Sequence, residues 1–259
     1  MLHLEGQNFS AFAARVLAAS HFHQACQHSA KTSLAKDTWD TQSSLYWKRH
    51  REIDNDLSML LHCLPEDIKL PNNIRCQNAT FVNVIIHTSV ICLHRAVISR
   101  MQKVGDLDDT VRQSRFRLIA AAGEILNILR TMPDVNDMLK NPMLAFSLYM
   151  ASLVFLNQPE SAGPDYQRQG NLDLTLRFML LAATTWGNPV TRSMAIQLAL
   201  DMRKHDIDSP VVQKVSDKYF PNQLLPTNIL IGNPAASRGK LSSNSCESRR
   251  RLYKSSISP

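Results

Sequence analysis

Glycine is scarce in this chain, with eight residues in 259. Turn-dense all-β folds and dinucleotide-binding α/β folds need glycine for tight turns and close backbone approach, so both are disfavoured. The glycine-bearing motifs are missing as well. There is no G-x-S-x-G elbow, P-loop or G-x-G-x-x-G, and no H-E-x-x-H. The five cysteines (26, 63, 76, 92 and 246) are scattered without a C-x-x-C pair, and the first thirty residues hold no continuous apolar segment of the secretory kind. They read as reduced thiols of a cytosolic or nuclear protein. The closest approach to a membrane span is "MLAFSLYMASLVFL", residues 143–156. It falls short of the about 18–20 residues a bilayer requires, so a buried helix is expected and no membrane contact.

A strong charge imbalance is absent from most of the chain. The formal net charge is +7, but residues 221–259 hold Arg238, Lys240, Arg249, Arg250, Arg251 and Lys254 against Glu247 alone. The other 220 residues carry 23 basic and 21 acidic side chains, too near balance for a nucleic-acid footprint. No residue here is assigned to DNA binding.

What the chain does have is helical periodicity. Residues 7–30, 39–61 and 76–103 repeat apolar residues at helical spacing, the last nearly all round, as suits a central helix. Further helices are predicted at about 108–131, 142–157, 171–186, 189–205 and 210–218. Asn141-Pro142, Asn188-Pro189 and Ser209-Pro210 each set a capping side chain before a proline at the first helical position, where its missing N–H costs nothing. No alternating β pattern and no internal repeat is present. The fold class expected is all-α, an irregular multi-helix bundle over 1–220. Residues 221–259 form a basic tail expected to be disordered, for want of large apolar residues after Ile231. Its basic, serine-rich end could act as a nuclear-import patch.

The search for chemistry is largely negative. His21-x-His23-x-x-Cys26-x-His28 is the best metal candidate, but on a helix His21 and His28 share one face and His23 and Cys26 another, so no metal site is assigned. Asp54/Asp56 and Asp108/Asp109 read as solvated or capping carboxylates. Cys92 and His94, two apart on a helix, point away from each other and cannot form a nucleophile pair. No catalytic residue is assigned. His94 and Arg95 remain, two basic residues inside the apolar stretch "VNVIIHTSVICLHRAVISRM". A buried guanidinium needs a carboxylate or several carbonyls, so Arg95 is expected to be paired across helices and His94 to pack at the same junction. Contact with a small effector is the functional alternative to that structural lock.

The order of segments resembles the regulatory middle homology region of fungal zinc-cluster transcription factors. "FAARVLAASHFHQACQHSA" (12–30), "WKRHREIDNDLSMLLHCLPEDIKL" (47–70) and "IIHTSVICLHRAVISRM" (85–101) match in turn. "AAGEILNILRTM" (121–132), "MLAFSLYMASLVFL" (143–156) and "NLDLTLRFMLLAATTWGNPVTRSMAIQLALDM" (171–202) continue the series, so the likeness covers about 12–206. The most distinctive segment is the long helix carrying the triplet Leu93, His94 and Arg95. Ala96 stands where the family usually has proline, so the helix is expected to run on to Met101. The family's Cys-rich zinc cluster is absent, which leaves no cofactor and no sequence-specific DNA binding to expect. A truncated gene or a relative without its DNA reader would account for this. The resemblance implies a nuclear regulatory domain, not an enzyme. It would modulate RNA polymerase II transcription through a small-molecule effector or through contact with transcriptional regulators or a family member. A stand-alone helical protein that associates with a full-length relative is the second reading.

Overall fold

Proline and asparagine explain where the later helices begin. The computed structural model describes residues 10–31, 45–102, 109–158, 165–207 and 209–219. Among them are nine α-helices and no strand: α1 (Ala11–Lys31), α2 (Leu45–His62), α3 (Gln77–Gln102), α4 (Asp109–Thr131), α5 (Val135–Met138), α6 (Pro142–Leu156), α7 (Asp165–Thr185), α8 (Pro189–Lys204) and α9 (Pro210–Tyr219). The Asn141 side chain accepts from the Met143 N–H, and that of Asn188 from Val190 and Thr191. Ser209 Oγ accepts from Val211 at 3.1 Å. In each case proline follows the cap, as the sequence predicts. Gly187, at φ +62°, turns the chain between α7 and the Asn188 cap, a conformation that suits glycine best.

The all-α expectation therefore holds for the described residues. The tail 221–259, expected to be disordered, lies outside them. Two short elements escape the sequence reading, α5 and a single 3-10 turn at Glu66–Ile68, and α7 begins six residues earlier than predicted. The run past Ala96 is seen, with α3 continuing to Gln102.

α3 is the axis of the bundle. Val82, Val84, Ile85, Ile86, Ile91, Leu93 and Val97 are buried on every side of it. α1 and α4 pack along it most extensively, with α6 and α2 completing its cover. Such an all-round apolar helix has the length and hydropathy to cross a membrane, whereas α6 is too short. Yet 78% of its most apolar window is buried inside the protein. Its polar residues are absorbed locally. Thr88 Oγ1 donates to the Val84 carbonyl and Ser89 Oγ to that of Ile85, each at 2.7 Å, while the Asn83 amide reaches the Ala79 and Ile68 carbonyls. α6 uses the same device, with Ser147 donating to Met143 and Ser152 to Tyr149.

α1 runs alongside α3 in the same direction. Arg15 donates to Asn78 at the start of both helices, and Ser29 donates to the Cys92 carbonyl fourteen residues further along each. Close approach is possible because the buried stripe of α1 is built of small residues, Ala14, Ala18 and Ala25, all fully covered. Ala18→Leu should therefore overpack this seam and cost about 1–3 kcal/mol. Urea denaturation of the variant measures it. An unchanged midpoint would mean that the seam has slack.

Candidate functional site

Helical spacing gathers polar residues onto one stripe of α2. Tyr46, His50, Asp54 and Ser58 recur every four residues, so they lie on neighbouring turns of nearly one face. Beside that stripe Trp47, Ile53, Leu57 and Leu60 are buried and hold α2 to the bundle. The polar stripe meets His28 of α1, His94 and Arg100 of α3, and Ser114 and Arg117 of α4.

The contacts form a continuous chain across four helices. The Arg100 guanidinium lies 4.4 Å from the centre of the Tyr46 ring. Tyr46 stacks on His28 at 4.4 Å between centroids, and His28 lies 5.7 Å from His50. His50 meets His94 edge to face at 5.3 Å, with Trp47 on its other side at 5.6 Å. His94 then bonds to Asp54 through Nε2 and to Ser114 through Nδ1, both at 3.3 Å. The Asp54 carboxylate also accepts from Arg117, whose other contact is Ser58 Oγ at 3.3 Å.

Electrostatics fixes some of the protons. Burial alone would raise the Asp54 pKa, but the His94 and Arg117 contacts outweigh it and hold the carboxyl at about 2. An ionised carboxylate only accepts, so Nε2–H of His94 donates to it and Nδ1 is left for the Ser114 hydroxyl, which rotates to suit. His28 and His50 are nine-tenths buried. Burial, then the charges of Arg49, Lys31 and Arg100, lower His28 to about 4. Burial, then His94 and His28, lower His50 to about 3 against the opposing pull of Asp54. Burial also lowers His87 to about 4, with Arg117 adding to it, and raises Tyr46 to about 12 in spite of Arg100.

Five polar atoms in this cluster are buried and find no hydrogen-bond partner among the described residues: His28 Nε2, Tyr46 Oη, His50 Nδ1 and Arg100 Nη1 at one end, and Arg117 Nε at the other. Buried polar groups are nearly always paired, so such a concentration marks unspent hydrogen-bonding capacity. Ser114, His94 and Asp54 do line up as hydroxyl, imidazole and carboxylate, but the Ser114 hydroxyl is buried, at 3% exposure.

Leu93, His94 and Arg95 separate here. Leu93 is fully buried in the apolar core, and His94, expected to pack at the Arg95 junction, instead ties α3 to α2 and α4. Arg95 corrects the expectation. It is mostly buried, but among the described residues it pairs with no carboxylate; its hydrogen bond goes to Met150 Sδ of α6 at 3.5 Å. One residue of helix turns a side chain by about 100°, which carries Arg95 away from the junction that His94 occupies. The carboxylate expected for Arg95 belongs instead to Arg117. Asp54 is a second correction. Taken from its polar surroundings as solvated, it is the shared acceptor of His94 and Arg117. The metal candidate on α1 disperses, with His28 buried beside Tyr46 and His23 exposed. Sequence reasoning missed the cluster because four helices contribute to it. The four-residue spacing of Tyr46, His50, Asp54 and Ser58 was the signal that could have found it.

Two expectations follow. Asp54→Ala strands both His94 and Arg117 and should cost about 1.5–3 kcal/mol. The lower half is favoured because Arg117 is 35% exposed and screened by water. Arg95→Met, which breaks no ion pair, should cost about 0–1 kcal/mol. Chemical denaturation of the two variants ranks them, and the reverse order would restore Arg95 as the lock.

The second concerns acid. In the folded chain His28, His50 and His87 stay neutral well below 6.5, whereas in the unfolded chain they protonate near that value. The unfolded state then binds more protons, so their contribution is complete above about pH 6.5 and lost as pH falls toward 4 and 3. Asp54 adds a later loss between 3.8 and about 2. Unfolding free energy measured from pH 7.5 to 4 should decline, and His50→Phe should flatten that decline. An equal slope in the variant would show that His50 is already protonated in the fold.

Compared with known proteins, the chain matches no family model, no curated protein and no solved structure.

Proposed function

We propose that this chain is a regulatory helical domain of the fungal transcription-factor type, acting in the nucleus. On this reading a small effector or a protein contact shifts the packing around α3. What supports the family reading is the ordered resemblance over about 12–206, centred on Leu93, His94 and Arg95. The observation that carries effector binding is the set of four unpartnered buried polar atoms on His28, Tyr46, His50 and Arg100. Three of the four can donate from a neutral side chain, and the fourth belongs to a cation. A small acid with carboxylate oxygens suits them, because each oxygen accepts two or more hydrogen bonds. Ligand bound there would touch α1, α2 and α3 together, and a difference in affinity between two packings is what regulation requires.

The second reading is a stand-alone interaction protein. Phe12 and Val16 favour it, since they are exposed one turn apart on α1, at 74% and 52%.

Thermal unfolding with a panel of small mono- and dicarboxylates distinguishes the two. The effector reading expects at least one to raise the melting temperature, by an amount that grows with concentration. Arg100→Gln and Tyr46→Phe should each remove that rise while the unliganded variants still melt cooperatively. Failure of the whole panel, with concentration-dependent association in sedimentation that Phe12→Ser weakens, would replace the sensor by the interaction module. Fusing residues 1–259 to an unrelated DNA-binding domain tests the transcriptional part. Reporter output should differ from that of the DNA-binding domain alone, and identical output would remove the regulatory assignment.

A further inference from the structure

Residues 45–52 of α2 are held differently from the rest of that helix. Ile53, Leu57 and Leu60 enter the main apolar core, whereas Trp47 belongs to a small separate cluster with Val97, Met101 and Val111. Beside that cluster the inner face of α2 meets rings. Tyr46 stacks on His28, and His50 lies between His28 and His94 with Trp47 at its edge. On the outside Arg49 donates to Gln24 of α1 at 2.8 Å through exposed groups. His28 and His50 are 5% and 6% exposed, and His28 Nε2 and His50 Nδ1 have no hydrogen-bond partner among the described residues. A proton on either ring is therefore a buried charge with a donor left unpaired. The surrounding groups oppose it further. Lys31 of α1, Arg49 of α2 and Arg100 of α3 face His28, while Arg51 of α2, His28 of α1 and His94 of α3 face His50. Asp54, one turn along α2, pulls the other way, but its carboxylate already accepts from His94 and from Arg117 of α4.

We propose that residues 45–52 are an acid-released latch: protons on His28 and His50 free them from α1 and α3 while the main core stays packed. Undocking brings water to His50 and uncovers the face of His28 that Tyr46 closes, so both rings return to ordinary histidine behaviour. The undocked form then binds protons more readily than the docked one. By linkage its population is small above about pH 6.5 and grows as pH falls below that value. The opening has a structural stop. The bonds of Asp54 to His94 and Arg117, and the burial of Ile53, Leu57 and Leu60, lie beyond the released turns. The body yields later because α1 and α4 pack along the length of α3. Release uncovers Trp47, Val97, Met101 and Val111, an apolar surface that is closed at neutral pH. The device needs no bound effector and stands apart from the effector reading.

Native-state hydrogen exchange of the full chain tests the latch, with rates corrected for the pH dependence of the exchange chemistry itself. Two histidines that titrate near 6.5 only when undocked each raise the opening equilibrium about tenfold between pH 7.5 and 5.5. The amides of residues 49–52 should therefore lose about a hundredfold in protection over that range. They should also exchange ahead of the amides of α3 and α6 at both pH values. His50→Phe, which keeps a ring and removes the proton site, should reduce the loss to about tenfold. His87→Gln is the control. His87 lies two turns before His94 on α3 and adds to the acid sensitivity of the whole fold, so its removal should leave the loss at 49–52 unchanged. Exchange of 49–52 in step with α3 and α6, or a loss that His87→Gln also reduces, would mean that the body opens as one unit and would overturn the latch. Protection of 49–52 that does not change with pH would overturn it too. The native-chain comparison decides these points without any variant.

Discussion

The Asp54 carboxylate is the one charge that three helices share. It sits on α2, accepts from His94 of α3 and from Arg117 of α4, and is 26% exposed. Apolar packing brings these helices together but does not set their rotation or register, because one leucine contact is much like another. Hydrogen bonds to a single carboxylate do set them. If α2 moves by one residue, Asp54 turns about 100° away from both donors. The rest of the polar chain depends on that registration. With Asp54 fixed, His50 lies one turn earlier against His94, and Tyr46 one turn earlier again against His28.

That arrangement also explains how a largely apolar interior tolerates so many titratable groups. The buried end of the cluster near His94 is largely satisfied, with both ring nitrogens in hydrogen bonds and only Arg117 Nε unpartnered among the described residues. The opposite end is not, and His28 and His50 avoid the cost by staying neutral. Satisfied and unsatisfied ends differ in what they can do. The first fixes the helices, and the second retains donors that a ligand could use.

Much of the fold was legible because its signals are local. Asn141-Pro142, Asn188-Pro189 and Ser209-Pro210 are caps within two residues of each other in sequence, and the periodicity of α3 is readable in one pass. The misreadings occur where distant segments decide the outcome. Asp54 looks solvated until Arg117, sixty-three residues later, is placed beside it. α7 begins at Asp165 through residues that are mostly polar or exposed, where apolar spacing gives no start signal. For His94 the reasoning from cost was sound, and the partner exists. For Arg95 the same reasoning chose the wrong group, because it looked for a carboxylate where the Met150 sulfur stands.

One turn of α3 shows how these strands of the structure connect. Cys92, Leu93, His94 and Arg95 are consecutive, and each step of about 100° sends them in four directions. The Cys92 carbonyl accepts from Ser29 of α1, Leu93 enters the apolar core, His94 joins α2 and α4, and Arg95 reaches Met150 of α6. Four neighbours are therefore referenced to a single rigid turn. A helix cannot rotate to improve one of these contacts without degrading the other three, since all four residues turn together. A change in protonation at the histidine cluster consequently acts on the one turn to which all four contacts are referenced.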